Sequence, residues 1–330
     1  MKKIIVLIFA ICLSFSLFAN GARESEAYIG VAIYRDDDTF LNETMDILRS
    51  LSDGNMPVKI VACDNKQYVQ NDVVSSFLDD KNCKALIVNP VDRTSGGLLV
   101  EKAKQNEIPI VFFNRELLKE DMKRWDKVYY VGADAISSGV MAGGIFLEYY
   151  KTHPEVDKNK DGVIQYVMLK GEPGHQDTEL RTEYMIETLT SNGLAVERLS
   201  EKSANWQRKE GYAVMGDFIS SFGDRIEVVF ANNDDMAIGA IEALMENGYF
   251  NGGPFMPVIG VDGTEKGRAA LNNGTLLGTV YNDSYNQALA LYNLALVLSR
   301  GEVPTKENIG FDIVDERYIW IEYTPMVKAD

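Results

Sequence analysis

Residues 157–181 read DKNKDGVIQYVMLKGEPGHQDTELR. An apolar run from Val163 to Leu169 stands here between a loop of oxygen donors and a turn of polar side chains. Such a run, stopped by Gly171-Glu172-Pro173-Gly174, predicts a buried strand that delivers His175, Asp177 and Arg181 to its carboxyl end. Open α/β sheets bind ligands at that end. On the other side of the run, Asp157, Asn159 and Asp161 place oxygen ligands on alternate residues. Gly162 allows a sharp turn and Gln165 falls at the ninth position. This is the front of a calcium loop. The twelfth position, where an EF-hand has a bidentate Glu, is Met168. The loop therefore needs a carboxylate from elsewhere, and spacing alone does not identify it.

The same strand-and-helix alternation extends in both directions. From Tyr28, β-branched runs recur at YIGVAIY, VKIVAC, ALIVN and IPIVFF, separated by segments of helical period. A second series follows VYYVGADAISSGV, with VIQYVML, IEVVFANN, MPVIGVD and LLGTVYN. Each series predicts an α/β lobe built on a mostly parallel, doubly wound sheet flanked by helices. Near the C-terminus FDIVDERYIWIEYTP has two short alternating runs and no helix between them, as expected of a chain crossing between lobes.

A length of 330 residues suits two lobes of roughly 150 residues each. The net charge of -16 disfavours nucleic acid and anionic membrane as partners, since both require a basic surface. Residues 1–19 read as an export signal, with Lys2 and Lys3 before the apolar run Ile4 to Phe18 and a small-residue site at Leu17-Phe18-Ala19. Whether the segment is cleaved or kept as an anchor is left open, and Cys12 lies in a poor lipidation context. Cys63 and Cys83 fall at opposite ends of parallel strands and are expected to be unpaired. No GxGxxG follows a strand, so a nucleotide cofactor is unsupported.

Polar residues recur after the strands of both lobes. Asp37, Asp38 and Phe40 follow the first, Asn114 the fourth, and Asn232, Asn233, Asp234, Asp262 and Asn282 those of the second lobe. Singly, each reads as a helix N-cap at least as well as a ligand contact. Together they describe a cleft of donors and acceptors with few cations, suited to an uncharged polyhydroxy molecule. Phe40 and Trp206 are the candidate aromatic platforms for the C–H faces of a sugar ring. For Phe40, packing into the core at a helix start is a nearly equal alternative. Asp177 and Arg181, four residues apart, share a helical face with which a fixed guanidinium fork can hold hydroxyls.

These residues carry a resemblance. The blocks IGVAIYRDDDTF, VFFNRE, YYVGAD, DKNKDGVIQ, LKGEPGHQD with Arg181, IEVVFANNDDMA, VIGVDG and GTVYND are similar to those of the periplasmic galactose/glucose-binding proteins of bacterial ABC transport, from about Tyr28 onward. The resemblance implies the type I periplasmic binding protein fold, with lobes at 27–132 plus 284–318 and 135–281 plus 322–330 joined by a multi-strand hinge. It also implies a monomer that holds one hexose, D-glucose or D-galactose, and delivers it to a membrane permease. A chemoreceptor is a further partner the family allows. The implied sugar contacts are Asp38, Phe40, Asn114, His175, Asp177, Arg181, Trp206, Asn233, Asp262 and Asn282. By the same resemblance Glu227 completes a structural calcium site with Asp157, Asn159, Asp161, the Val163 carbonyl and Gln165. Arg115 stands where the family usually has Lys, which keeps the charge and changes the reach.

Two other classes compete. A glycoside hydrolase could use two of Asp38, Asp177 and Asp262, one as a raised-pKa acid opposite a second carboxylate. The Asn and Arg residues around them argue instead for ionised acceptors. The effector half of a sugar-responsive repressor shares the fold but needs a DNA-binding head, where this chain has its export signal.

Overall fold

The β-branched runs pair into two six-stranded sheets in this computed structural model, which describes residues 26–52 and 56–328. The proposed export segment, with Cys12, lies outside the described residues. The chain begins with β1 (Tyr28–Ile33), α1 (Thr39–Leu51), β2 (Val58–Ala62), α2 (Gln67–Asp79), β3 (Cys83–Val88), α3 (Gly96–Gln105), β4 (Ile110–Phe113), α4 (Lys119–Met122) and β5 (Val128–Ala133). It then crosses at Asp134 into α5 (Ala135–Thr152), β6 (Val163–Lys170), α6 (Gln176–Ser191), β7 (Ala195–Ser203), α7 (Arg208–Phe222) and β8 (Val228–Ala231). The second lobe continues through α8 (Asp234–Glu246), β9 (Val258–Ile259), α9 (Glu265–Asn272) and β10 (Gly278–Asn282). A return crossing at Asp283 leads to α10 (Ser284–Ser299), α11 (Lys306–Ile309) and β11 (Tyr318–Ile321). A last crossing at Glu322 leads to β12 (Tyr323–Val327).

The strand orders are β11-β5-β4-β3-β1-β2 and β12-β10-β9-β8-β6-β7. All named pairs are parallel except β10 with β12, so an antiparallel edge closes the second sheet. In each sheet the order reverses once, between β1 and β3 and between β6 and β8. Crevices open at such points.

All six residues of β1 are buried, because both faces of its sheet are covered by helices. Leu41, Met45 and Leu48 of α1 and Leu291, Leu294 and Ala295 of α10 fill one face. Val74 and Phe77 of α2 and Leu99 and Val100 of α3 fill the other. Helices α7 and α8 cover one side of the second sheet, and α5 and α6 the other. Cys63 and Cys83 are free and buried, and burial raises both thiols to about 11, which keeps them protonated and unreactive. No helix among the described residues is long and apolar enough to cross a membrane.

Candidate functional site

A small cavity lies between the carboxyl ends of the two sheets. Its walls bring together Asp38, Phe40 and Asn114 from the first lobe with His175, Asp177, Arg181, Trp206, Asn233 and Asp262 from the second. Asn282, the tenth residue singled out above, stands behind this wall. Its amide donates to Asp262 Oδ1 at 3.4 Å, and its own oxygen accepts from Gln287 at 2.5 Å. One wall residue escaped the sequence reading. Tyr34 is the last aromatic of the first β run, and its hydroxyl donates to Asp38 Oδ2 at 2.7 Å.

Several of these side chains are also helix caps. Asp38 Oδ1 accepts from Leu41 N at 3.0 Å, Asn233 Oδ1 from Met236 N at 3.0 Å and His175 Nδ1 from Asp177 N at 3.1 Å. Capping and lining the cavity are thus not alternatives, since the N-cap fixes the rotamer that points a polar atom into the cleft. Each Asp38 oxygen already takes one donor, so of about four acceptor positions on a carboxylate roughly two remain. Because a backbone N–H can only donate, His175 Nδ1 carries no proton and its Nε2 must be the N–H. Burial, with Arg115, Arg181 and Arg93 nearby, holds this imidazole well below its ordinary range, so it is neutral at pH 7.

Arg181 organises the second-lobe wall. Its guanidinium donates to the Asn232 carbonyl at 2.8 Å, Asp177 Oδ2 at 3.0 Å and the Tyr323 hydroxyl at 2.8 Å, and lies 3.7 Å from Asp262 Oδ1. Its Nε is buried with no protein partner among the described residues, a donor available to a ligand oxygen. Burial raises the pKa of Asp177 and Asp262, and Arg181 opposes both shifts. A hydrolase built on this pair would need open space for an acid and a second carboxylate across the scissile bond. The Arg181 guanidinium lies between the two carboxylates instead.

Trp206 is both core and wall. It is 6 % exposed, belongs to the α7–α8 core and presents an edge to His175 with ring centroids 5.1 Å apart. Its indole packs against the turn after β6, where a Cβ on Gly171 would lie 2.1 Å from the ring. Phe40 is likewise part of the core under α1 and part of the cavity wall.

At the opposite end of β6, Asp161 Oδ1 accepts from Val163 N at 2.8 Å and Asp157 Oδ2 from Gly162 N at 2.9 Å, with Gly162 at φ +79°. Glu227, 1 % exposed, reaches this loop by accepting from Lys158 N at 2.6 Å and Gln165 N at 2.9 Å. Burial and the charge of Asp157 raise its pKa. Among the described residues no three His, Cys, Asp or Glu side chains form a metal-holding group by themselves. The loop's donors instead include amide oxygens. The Asn159 NH2 group sits 2.9 Å from Asp161 Oδ2 and 3.2 Å from Gln165 Oε1, a partly positive group among oxygens. The carboxylates of Asp157, Asp161 and Glu227 and the side-chain amide groups of Asn159 and Gln165 supply the kind of oxygen donors that a hard cation takes.

Comparison with known proteins gives this geometry a context. Residues 29–302 match the family described as periplasmic binding protein domain. The chain belongs to that family. This periplasmic binding protein is 36 % identical over 338 residues to the D-galactose/methyl-galactoside binding periplasmic protein of Haemophilus influenzae, covering 99 % of this chain and 98 % of the relative. A putative rhizopine-binding protein of Rhizobium meliloti is 31 % identical over 319 residues, covering 95 % and 96 %. An ABC transporter solute binding protein from Bacillus halodurans, solved with bound myo-inositol, superposes with a TM-score of 0.74 at 27 % identity, covering 92 % and 94 %. The two lobes, with their mostly parallel sheets, are the type I arrangement of this family.

Proposed function

We propose that this binding protein captures a free hexopyranose, D-glucose or D-galactose, between its lobes outside the cytoplasm and delivers it to the membrane permease of an ABC transporter. The observation that carries this is the cavity wall. Ten side chains from two lobes converge there with donors, acceptors and the rings of Tyr34, Phe40 and Trp206 but a single cation, Arg181. Asp177, Asp262, Asn233 and the neutral His175 offer hydrogen bonds to equatorial hydroxyls, and Phe40 and Trp206 offer apolar faces. The galactoside-binding relative at 36 % identity supports the choice of hexose. Contacts to both lobes favour the closed form, so binding energy shifts the lobes' equilibrium and closure is what a permease can recognise.

A structural calcium ion is part of the same reading. Asp157, Asn159, Asp161, the Val163 carbonyl, Gln165 and Glu227 would hold it, tying the start of β6 to the residue before β8. Calorimetric titration with glucose, galactose, ribose and myo-inositol tests the sugar assignment. Glucose and galactose are expected to bind and to change Trp206 emission, while ribose leaves polar groups unpaired and binds at least about tenfold more weakly. Ribose bound as tightly as glucose would remove the hexose assignment.

A further inference from the structure

The cavity wall is only part of what joins the lobes. Glu172 sits in the turn after β6, outside the set of side chains that lines the cavity, and its carboxylate meets three first-lobe loops. Asn65, after β2, donates to Oε1 at 2.8 Å. Arg115, after β4, donates to Oε2, and Arg35, after β1, lies 3.9 Å from Oε1. The fourth loop joins through Arg115, which donates to the Val91 carbonyl at 2.6 Å. Only 7 % of the Arg115 side chain and 16 % of that of Glu172 remain exposed.

We infer that Glu172 and Arg115 form an interlobe latch that sets how long a sugar is held, without taking part in choosing it. The inference rests on the sugar-receptor reading above. The contacts link residues of different lobes, so opening the cleft breaks them and returns both charges to water. A buried, hydrogen-bonded charge pair across an interface acts mainly on dissociation. Glu172 is the single carboxylate on which the loops after β1, β2 and β4 converge. The other side of the mouth is joined by contacts without a charge pair, such as the Thr39 hydroxyl donating to Asp235 at 2.5 Å and Glu265 N to Glu43 at 3.1 Å. Arg115 has a second connection. Its guanidinium lies 3.9 Å over the Tyr34 ring, whose hydroxyl donates to Asp38. Glu172 is therefore the cleaner of the two positions for separating retention from choice.

The test is stopped-flow dissociation of glucose, galactose, ribose and myo-inositol from the native protein and from Glu172→Gln. The variant should release every sugar that the native protein holds about tenfold faster. Association rates and the ratio of glucose to galactose affinity should change by less than about twofold. Arg115→Gln should speed release similarly, and the double variant should be no faster than the worse single one, because both remove the same contact. Arg115→Gln also carries the test if Glu172→Gln does not fold. Unchanged release, or release faster for one sugar only, overturns the latch while leaving the receptor reading intact. A native protein that retains none of the four sugars overturns both.

Discussion

The two ends of β6 hold carboxylates in different ways. In the loop before the strand, Asp157 and Asp161 take their hydrogen bonds from backbone and side-chain amides within five residues, and Asp161 stays exposed to water with its pKa lowered chiefly by the Val163 amide. After the strand, Asp177 is buried against Arg181, whose other partners, Asn232 and Tyr323, lie 51 and 142 residues away in sequence. Burial there pushes carboxyl pKa values up. A locally held set keeps its shape when a neighbour changes. A set held through tertiary partners transmits every change to the rest of the wall.

The strongest way to break this contrast is at the cleft. Asp38→Ala removes the cap of α1 and, on the proposed reading, an acceptor for both hexoses, and should weaken glucose and galactose together by about 100-fold, on the order of 3 kcal/mol, with about 1 kcal/mol lost from stability. Calorimetry with each sugar checks it. A galactose affinity that survives the change would show that Asp38 does not serve both sugars.

The loop end should respond in the opposite sense. Calcium at a hundredfold excess over its dissociation constant stabilises the folded state by about 2.7 kcal/mol, so chelation should lower the melting temperature by about 5 °C. Hexose affinity should move by less than about twofold, and Glu227→Gln should abolish the response to chelator. Loss of sugar binding on chelation, at a temperature where the fold persists, would mean that the two ends of β6 are coupled.

A smaller effect sharpens the electrostatic half of the comparison. Asp234, fully buried beneath Asp262, accepts from Thr264 N at 2.9 Å and Thr279 Oγ1 at 2.7 Å, and burial raises its pKa to about 7. Between about pH 4 and 7 the folded protein keeps a proton that the unfolded chain releases. Stability therefore falls as pH rises through that window and levels off above it. Over pH 5 to 7 this contribution is on the order of 2 kcal/mol. Urea midpoints at the two pH values should differ less for Asp234→Asn than for the native protein. An equal difference would show that Asp234 titrates normally.

What was legible in the sequence follows the same division between local and remote. The strands, and the placing of polar residues at their carboxyl ends, could be read from β-branched runs and turn residues. The front of the oxygen-donor loop was legible because its spacing is local. Tyr34 was not, because an aromatic at a strand end reads as core until its hydroxyl is seen to meet Asp38. The contact of Glu172 with Arg115 escaped for a different reason. It spans 57 residues and two lobes, and no periodicity encodes which loops face each other across a cleft. Phe40 and Asn233 were read as choices between a structural role and a place in the cleft, and in the folded chain Phe40 packs in the core and Asn233 caps a helix while both line the cavity.

The three crossings at Asp134, Asp283 and Glu322 have a consequence for how the molecule can be assembled. Helix α10 lies in the middle of the first lobe's core, against α1 and β3, and β11 completes that lobe's sheet beside β5. A chain emerging from its N-terminus therefore cannot finish its first lobe until residue 321 is available, by which point nearly all of the second lobe has already appeared. The second lobe needs only β12 to close its edge. The lobe that begins first is thus completed almost last, through contacts more than 200 residues apart such as Met56 with Tyr292. Long-range closure of this kind slows folding and leaves a half-built hydrophobic surface exposed meanwhile.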